Sequence, residues 1–424
     1  MIIELVNTGS ELMLGRVLNT HQQWICRQLA DMGWVVERQV AVPDTAGEIR
    51  DAVREALGRS DLVIATGGLG PTSDDITREL IAEMLGRKLV MNEDVREKIR
   101  QFFATRHRPQ PARTEVQALV PEGATVLPNS QGTAPGLAME VPAGVYRGAP
   151  SWLIMLPGPP RELRPMWADH VVPLLKREFP QPGIFVCRTL KTTGIGESRV
   201  EEIIVKHLDE QLKAGLEIGY CARTGEVDVR FVGRGPNATA CVAAAEKITR
   251  RLLRDHVYGV DDEQLETVIV RLLAERKQTL ALAESCTGGF IAHRVTNVPG
   301  ASAALLAGLV TYSNEAKQQL LGVSADTLKA HGAVSEAVAR EMAEGARRST
   351  GADYALSVTG IAGPGGGTPE KPVGTVFIGI ATSKTTEVAH KVNPFDRETF
   401  KHVTSQQALE ILRRAILDNK KPAG

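Results

Sequence analysis

Two separated stretches of this chain alternate short apolar strands with helices, and this alternation constrains the fold more than any other feature. In the first stretch, apolar strands at residues 2–8, 35–42 and 62–66 are separated by segments with helical spacing. Strands that alternate with helices form βαβ units, in which helices cover both faces of a mainly parallel sheet. The sequence therefore predicts a three-layer α/β domain over residues 1–179.

The same alternation returns near residue 263 and continues to a closing helix at about residues 397–418. Between the two stretches, residues 184–258 follow another order: strand, helix, hairpin and helix. Pro180, Pro182 and Gly183 just before this segment are typical of a linker. The sequence predicts three domains, namely α/β at 1–179, a small α+β domain at 184–258 and α/β at 263–420.

Composition excludes several function classes. The 424 residues include 50 Lys and Arg and 50 Asp and Glu, so the net charge is zero, and aromatic residues make up only 4%. A broad basic surface and many stacking rings are typical of nucleic-acid binders, so the sequence disfavours nucleic acid as a partner. None of the five cysteines forms a C-x-x-C pair, which fits a reducing cytoplasm. The longest apolar run is too short for a membrane span.

A glycine-rich turn follows the strand at residues 62–66 and precedes a helix. Glycines at such a junction let backbone N–H groups approach an anion, and the helix N-terminus favours negative charge. Asp74 and Asp75 would repel a phosphate unless a divalent cation lay between them, so this motif predicts a metal-assisted phosphate site. The alternative is an ordinary turn with an Asp N-cap. The candidate substrate-binding residues are Gly67, Gly68, Gly70 and Thr72.

Further polar residues follow the other strands of the first domain. Ser10 and Glu11 come after the first strand, and Asp44 comes after the second. Open α/β sheets bind ligands at the carboxyl ends of their strands. The sequence therefore adds Glu11 as a metal ligand and Asp44 as a substrate contact, with exposed loop residues as the alternative.

In the last domain, an apolar strand ends at Ser285, just before a helix that begins with glycines. This strand–turn–helix arrangement resembles a nucleophile elbow, although Ala283 replaces its first glycine. The N–H groups of Thr287, Gly288 and Gly289 are candidates to stabilise an oxyanion or to hold a phosphate. An N-cap serine or threonine in front of two glycines is the alternative. Cys286 is a second candidate nucleophile, because a thiolate needs less activation.

A serine nucleophile needs a base, and the four histidines of this domain show no recognisable triad spacing. Lys317 can serve if burial lowers its pKa. It follows Tyr312 by five residues across a strand-to-helix junction, so both side chains can face Ser285. A solvated lysine and a strand-end tyrosine are the alternative interpretation.

Several motifs in the first domain resemble the CinA family of competence- and damage-inducible proteins and, more broadly, the molybdopterin-binding fold. They are Thr8-Gly-Ser-Glu-Leu, Gly67-Gly-Leu-Gly-Pro-Thr-Ser-Asp-Asp-Ile-Thr, Gly132-Thr-Ala-Pro-Gly and Leu156-Pro-Gly-Pro-Pro-Arg-Glu. The resemblance implies a metal-dependent ADP-ribose pyrophosphatase, with Asp75 at the position of the family's metal-binding aspartate. The metal's identity and the division of roles between Asp74 and Asp75 stay open.

Other motifs resemble the nicotinamide mononucleotide deamidase domain of the same family. They are Glu284-Ser-Cys-Thr-Gly-Gly, Val298-Pro-Gly-Ala-Ser, Thr311-Tyr-Ser-Asn-Glu-Ala-Lys and Val358-Thr-Gly-Ile-Ala-Gly-Pro-Gly-Gly. The resemblance implies that Ser285, Tyr312 and Lys317 are catalytic and that no cofactor is needed. It further implies substrate contacts from Ser302, Thr359, Gly360 and Arg397, although Phe395 replaces a glycine in the motif before Arg397.

Residues 184–258 resemble the KH-type module that lies between the two enzyme domains in the family. RNA-binding KH modules use a G-x-x-G loop, whereas Gly194 and Gly196 here are too close together and precede Glu197. A structural role is therefore expected. We expect a cytoplasmic homodimer acting on small nucleotides. A nucleic-acid-linked scaffold in competence or repair and a molybdopterin-handling protein are the alternatives.

Overall fold

The structure is a computed structural model that describes residues 1–180 and 183–418. Contacts divide it into two compact units, Met1–Phe185 and a second unit that starts at Val186. Pro182 of the predicted linker and the predicted domain end at residue 420 lie outside the described residues. Within the described ranges, no helix has the length and apolar character needed to cross a membrane.

The first unit contains a six-stranded sheet in the order β2-β1-β3-β8-β7-β6. Strands β2, β1, β3 and β8 are parallel, whereas β7 and β6 run antiparallel to their neighbours, and β4 pairs with β5 in a separate ladder. Its strands are β1 Ile3–Thr8, β2 Val36–Val42, β3 Leu62–Thr66, β4 Leu89–Met91, β5 Leu119–Pro121, β6 Thr125–Leu127, β7 Gly136–Val141 and β8 Ser151–Leu156.

The helices of this unit begin where the sequence offers caps. The Asn19 side chain accepts the N–H of Gln22 at the start of the second helix, and Asn92 accepts that of Val95 at the start of the fifth. The helices are α1 Ser10–Met13, α2 Thr20–Asp31, α3 Ala46–Leu57, α4 Thr77–Met84, α5 Glu93–Ala104, α6 Pro160–Met166 and α7 Val172–Glu178, with a 3-10 helix at Ala112–Ala118 and a π turn at Trp167–Val171 between α6 and α7.

Alternate residues of the central strand β3 pack on opposite faces of the sheet. Val63 and Ala65 join one apolar cluster, and Leu62 and Ile64 join another. Side chains alternate along a strand, so a strand that is apolar throughout must be covered on both faces. This arrangement produces the three layers that the sequence predicts.

The second unit starts with an α+β segment whose sheet has the order β10-β11-β9-β12. Its strands are β9 Phe185–Thr193, β10 Glu217–Arg223, β11 Glu226–Arg234 and β12 Val257–Val260. Its helices are α8 Glu197–Ile204, α9 Asp209–Lys213 and α10 Ala238–Leu253, with 3-10 helices at Val205–His207 and Arg254–His256. Leu190, Val229 and Phe231 of the sheet pack in one cluster with Val200 and Val242 of the helices.

The rest of the second unit is an α/β segment around a five-stranded sheet in the order β14-β13-β15-β16-β17. Its strands are β13 Leu280–Glu284, β14 Leu305–Val310, β15 Tyr354–Gly360, β16 Thr375–Ala381 and β17 Thr386–Val392, and its helices are α11 Leu265–Arg276, α12 Phe290–Thr296, α13 Asn314–Leu321, α14 Ala325–His331, α15 Glu336–Thr350 and α16 Arg397–Asp418. A 3-10 turn lies at Ala301–Ala303. Strands β14, β13 and β15 are parallel neighbours, so their carboxyl ends share one edge. The predicted fold class is confirmed.

Candidate active sites

A cleft of about 600 Å³ opens at the carboxyl ends of β1, β3 and β8 in the first unit. The structure brings seven of the predicted residues into its wall, because these parallel strands end at the same edge. They are Glu11, Asp44, Gly67, Gly68, Gly70, Asp74 and Asp75. Thr72 is exposed and does not line the cleft.

The turn after β3 requires its glycines for two reasons. Gly67 and Gly68 have φ values of +101° and +66°, a region that residues with a Cβ rarely adopt. A Cβ on Gly68 would lie 2.0 Å from Thr77 Oγ1, and one on Gly70 would lie 2.3 Å from Asp75 Oδ2. The turn can therefore pack its backbone directly against these side chains.

Thr72 holds the two adjacent carboxylates in place. Its N–H donates to Asp75 Oδ2 over 2.9 Å, and its hydroxyl lies within hydrogen-bond distance of Asp74 Oδ1 and Asp75 Oδ2. The hydrogen bond from the Thr72 hydroxyl lowers the pKa of Asp74. Thr72 thus acts on the site through the aspartates, and Asp74 is ionised at neutral pH.

Asp44 has a local partner of its own. Its Oδ2 accepts the N–H of Ser10 over 2.7 Å, and the Ser10 hydroxyl accepts the N–H of Asp44 over 3.1 Å. This reciprocal pair fixes the start of α1 against the end of β2. Asp44 therefore shapes the cleft wall in addition to facing the cleft.

The acidic residues of the cleft supply the oxygen ligands that a hard divalent cation prefers. Within residues 1–180 and 183–418, no group of three or more His, Cys, Asp or Glu side chains is arranged to hold a metal. Asp74 and Asp75 are neighbours, and Glu11 follows β1. Such a donor set fits Mg²⁺-like binding, in which one or two carboxylates act together with substrate phosphates and water.

The wall also contains residues that were not predicted as site residues, among them Thr8, Gln117 and Glu162. Among the described residues, the buried atoms Thr8 Oγ1 and Gln117 Oε1 have no hydrogen-bond partner, and Glu162 accepts Asn129 Nδ2 over 2.8 Å. Thr8 and Glu162 lie within the motifs that carry the family resemblance, so those motifs contained the signal. Nothing in the local sequence singles out Gln117.

The second site lies at the end of β13. The N–H of Ser285 donates to Val358 O of the neighbouring strand over 3.0 Å, which fixes the point where the chain leaves the sheet. Gly288 and Gly289 then adopt φ values of +62° and +92°. This sharp turn presents Ser285 at the sheet edge.

The buried carboxylate of Glu284 holds this turn together. It accepts four hydrogen bonds, from the Thr287 hydroxyl and from the N–H groups of Gly289, Ile291 and Ala292, over 2.7–3.1 Å. A buried carboxylate is stable only when such donors compensate its lost hydration. Glu284 therefore ties the elbow to the start of α12.

Lys317 is in direct contact with Ser285. Its Nζ lies 3.1 Å from Ser285 Oγ, 2.8 Å from Thr311 O and 3.3 Å from Tyr312 O. The lysine is only 1% exposed, and burial lowers its pKa. A neutral amine can donate its two N–H groups to the two carbonyls and accept the serine proton with its lone pair.

Cys286, the second candidate nucleophile, packs among apolar side chains. Its side chain is buried in the apolar core of the C-terminal sheet, and burial raises its pKa to about 12. The cysteine is therefore a neutral thiol at physiological pH. Because the thiolate is the nucleophilic form, the structure favours Ser285 as the nucleophile.

Two of the three N–H groups predicted to stabilise the oxyanion, those of Gly288 and Gly289, require a correction. The N–H of Gly288 donates to Ser285 O, and that of Gly289 donates to Glu284 Oε2, each over 3.0 Å. Both donors are therefore engaged in forming the turn. The N–H groups of Cys286 and Thr287 interact with the Cys286 thiol, which is a weak acceptor, so these two donors are the more easily released to an oxyanion.

Tyr312 and Arg397 were also predicted as site residues, and their side chains form a hydrogen bond with each other. Tyr312 is 61% exposed, and its hydroxyl accepts a hydrogen bond from Arg397 Nη2 over 2.7 Å. Arg397 also donates to Gly363 O over 3.0 Å. The Tyr312 phenol is thus paired with Arg397, and the main-chain carbonyl of Tyr312 is what contacts Lys317.

Three further predicted site residues make their contacts away from Ser285 and Lys317. They are Thr359, Gly360 and Ser302. The Thr359 hydroxyl is buried and donates to Ala333 O over 2.8 Å. Gly360 packs against β16, where a Cβ would lie 2.7 Å from Thr375 O. Ser302 is exposed on the 3-10 turn. Among the described contacts, none joins these three residues to Ser285 or Lys317.

Three segments of the chain match known protein families. Residues 4–177 match a probable molybdopterin binding domain, residues 187–259 the damage-inducible protein CinA KH domain, and residues 262–416 the CinA C-terminal domain.

Relatives match over nearly the whole chain. A putative competence-damage inducible protein of Caldicellulosiruptor bescii is 44% identical over 99% of this chain and 100% of its own length. A CinA-like protein of Akkermansia muciniphila is 45% identical over 96% of this chain and 95% of its own. The crystal structure of competence/damage inducible protein CihA from Agrobacterium tumefaciens is 38% identical over 37% of this chain and 97% of that chain, with a TM-score of 0.34.

Proposed function

The chain belongs to the CinA family, and we propose that it is a bifunctional hydrolase of pyridine-nucleotide salvage. Its C-terminal α/β segment would hydrolyse nicotinamide mononucleotide to nicotinate mononucleotide and ammonia. Its first unit would hydrolyse ADP-ribose to AMP and ribose 5-phosphate. The contact between Ser285 and Lys317 is the observation that carries the proposal, because a buried lysine with a lowered pKa, in contact with a serine hydroxyl, is suited to activate the serine for amide hydrolysis.

Deamidation would begin with attack of Ser285 Oγ on the carboxamide carbon while Lys317 Nζ takes the hydroxyl proton. The resulting oxyanion would be held by the N–H groups of Cys286 and Thr287. Collapse of the tetrahedral intermediate breaks the C–N bond, and the protonated Lys317 returns its proton to the leaving nitrogen. Ammonia departs and leaves an ester on Ser285.

Water would then hydrolyse the ester, with Lys317 as the base that takes a proton from the water. The second tetrahedral intermediate releases nicotinate mononucleotide and returns the proton to Ser285. Arg397, which lies beside Tyr312 at the exposed side of the pair, is suited to bind the substrate phosphate. Tyr312 would orient Lys317 through its carbonyl and Arg397 through its hydroxyl.

In the first unit, one or two of the carboxylates of Asp74, Asp75 and Glu11 would hold a divalent metal ion together with substrate phosphates, and Gly67, Gly68 and Gly70 would let the backbone approach the pyrophosphate. A bound cation of this kind neutralises phosphate charge and lowers the pKa of a bound water. Thr72 keeps the two aspartates oriented. The Thr8 hydroxyl, buried and without a partner, is available to the substrate.

Product identification tests both activities. The wild type, Ser285→Ala and Asp75→Asn are each incubated with nicotinamide mononucleotide and with ADP-ribose, and the products are identified by mass spectrometry. We expect Ser285→Ala to lose only deamidation and Asp75→Asn to lose only ADP-ribose cleavage. A wild type that converts neither nucleotide would contradict the proposal and would favour the scaffold or molybdopterin alternatives.

A further inference from the structure

A short apolar loop borders the cleft of the first unit. Met13, Leu14, Val17 and Leu18 are 55%, 71%, 53% and 84% exposed. Val17 and Leu18 line the cleft, whereas Met13 and Leu14 do not. Large apolar side chains so exposed favour burial against a ligand or a partner. The loop therefore presents two apolar side chains to the ligand cavity.

Backbone hydrogen bonds hold this loop in position. The N–H of Arg16 donates to Glu11 O over 3.0 Å, and that of Thr20 donates to Leu18 O over 2.8 Å. The Asn19 side chain, next to Leu18, caps α2. Val17 and Leu18 thus project from a fixed backbone, and a ligand that covers them pays little ordering entropy.

The remainder of the cleft has a different character. Its glycine turn and the carboxylates of Asp74 and Asp75 suit a phosphate group and a cation, whereas Val17 and Leu18 suit a flat apolar group. His21 also lines the cleft. Burial and the nearby charge of Arg164 lower the pKa of His21. The His21 ring therefore adds no charge at neutral pH. The cleft is therefore amphiphilic.

We propose that Val17 and Leu18 form the nucleobase subsite of the cleft and make it select nucleoside diphosphates over diphosphates that lack a base. The inference rests on the proposed function, because it assigns a place to the adenine of ADP-ribose. The volume of about 600 Å³ is in the ordinary range for a small-ligand site. A second copy of the chain is the competing occupant of this loop.

The test compares two ligands that differ only in the nucleoside and that resist hydrolysis. Dissociation constants for α,β-methylene-ADP and methylenediphosphonate are measured by calorimetry with Mg²⁺ present. We expect Leu18→Ala and Val17→Ala each to raise the dissociation constant of α,β-methylene-ADP about fivefold, because apolar contact area is lost. Binding of methylenediphosphonate should change by less than about twofold.

Leu14→Ala is the matched control, because Leu14 is a leucine of the same loop and is also largely exposed but does not line the cleft. It should leave both dissociation constants unchanged. Equal effects of Leu14→Ala and Leu18→Ala, equal effects on the two ligands, or a wild type that does not bind α,β-methylene-ADP would each overturn the subsite. A Leu18→Ala variant that changes only the mass in light scattering would overturn it as well and assign the loop to a dimer interface.

The result is separable from the outcome for the proposed function. Nucleoside-dependent binding that Leu18→Ala weakens, in a protein that does not hydrolyse ADP-ribose, would support the subsite and refute the pyrophosphatase. Hydrolysis of ADP-ribose with the same KM in Leu18→Ala and Leu14→Ala would support the pyrophosphatase and refute the subsite.

Discussion

The two candidate sites differ in how complete they are. In the C-terminal segment, the lysine amine already contacts the serine hydroxyl, and both groups are buried. In the cleft of the first unit, carboxylates and glycines line a wide space, and within residues 1–180 and 183–418 no group of three or more potential ligands is arranged for a metal. Under the proposed function, one site carries its own acid–base pair, whereas the other would need an ion and a substrate to complete it.

The same electrostatic principles operate in opposite directions at the two sites. Asp74 is exposed and hydrogen-bonded by Thr72, which favours its charged form. Burial of Lys317 removes its amino group from water, which favours its neutral form. Placement in the fold thus favours the charged form of one group, which we propose as a metal ligand, and the neutral form of the other, which we propose as a base.

The largest expected effect concerns the serine–lysine pair. Ser285→Ala and Lys317→Met should each reduce kcat for deamidation by about a thousandfold or more, because the two groups act as a unit. The double variant should be little worse than either single variant. Steady-state ammonia release measures all three. Near-additive losses would show that the two residues act independently.

Cys286→Ala is the control for this experiment. The thiol is protonated and buried, so its removal should leave kcat within about threefold while costing some stability through lost packing. If Cys286→Ala were as inactive as Ser285→Ala, the result would indicate that Cys286 is the nucleophile.

Chelation should separate the two sites. EDTA should reduce ADP-ribose cleavage by about a hundredfold or more, because the carboxylates alone cannot neutralise two phosphates. Deamidation should persist, because Ser285 and Lys317 need no metal. Parallel assays of both activities before and after addition of Mg²⁺ provide the measurement, and equal loss of the two activities would refute the assignment to separate sites.

The pH dependence of deamidation should report the protonation of Lys317. Only the neutral amine can take the serine proton, so kcat/KM should fall about tenfold per pH unit below the pKa of Lys317. Because burial lowers this pKa, the midpoint should lie below the ordinary lysine value of about 10.4. ADP-ribose cleavage should not share this midpoint. A deamidation profile flat down to pH 6 would contradict lysine as the base.

A smaller effect is expected from Glu284, whose carboxylate accepts the hydrogen bonds that hold the turn after β13. Glu284→Gln places an amide N–H₂ group against backbone N–H donors, so the free energy of unfolding should fall by about 1–3 kcal/mol. Urea denaturation measures it. Glu315→Gln, at an exposed carboxylate on α13, is the control and should change stability by less than about 0.5 kcal/mol. Equal stability of the two variants would show that Glu284 does not hold the turn.

Much of the fold could be predicted because strand and helix periods are local properties of a sequence. The buried run of β13, the cap of α2 at Asn19 and the closing helix α16 all follow from residues close together in the chain. The antiparallel strands β6 and β7 were not predicted, because β6 has only three residues and depends on its partner. The π turn at Trp167–Val171 had no sequence signal.

The candidate sites were predictable to the extent that strand ends identify a sheet edge. Ser285 and the turn after β3 both follow buried strands, and this position places them at their sites. The engagement of the Gly289 N–H by Glu284 was not predictable, because it depends on how the turn folds back over the strand. The same holds for Thr359, whose hydroxyl is taken up by Ala333 O.

Trapping by hydroxylamine tests the central claim, an ester on Ser285, most directly. Hydroxylamine added during turnover of nicotinamide mononucleotide competes with water for an acyl-enzyme and yields the hydroxamate of nicotinate mononucleotide. Mass spectrometry should detect this hydroxamate beside nicotinate mononucleotide with the wild type and with Cys286→Ala, and neither product with Ser285→Ala. Nicotinate mononucleotide without any hydroxamate, at a rate unchanged in Ser285→Ala, would show that water attacks the amide directly and would contradict the account.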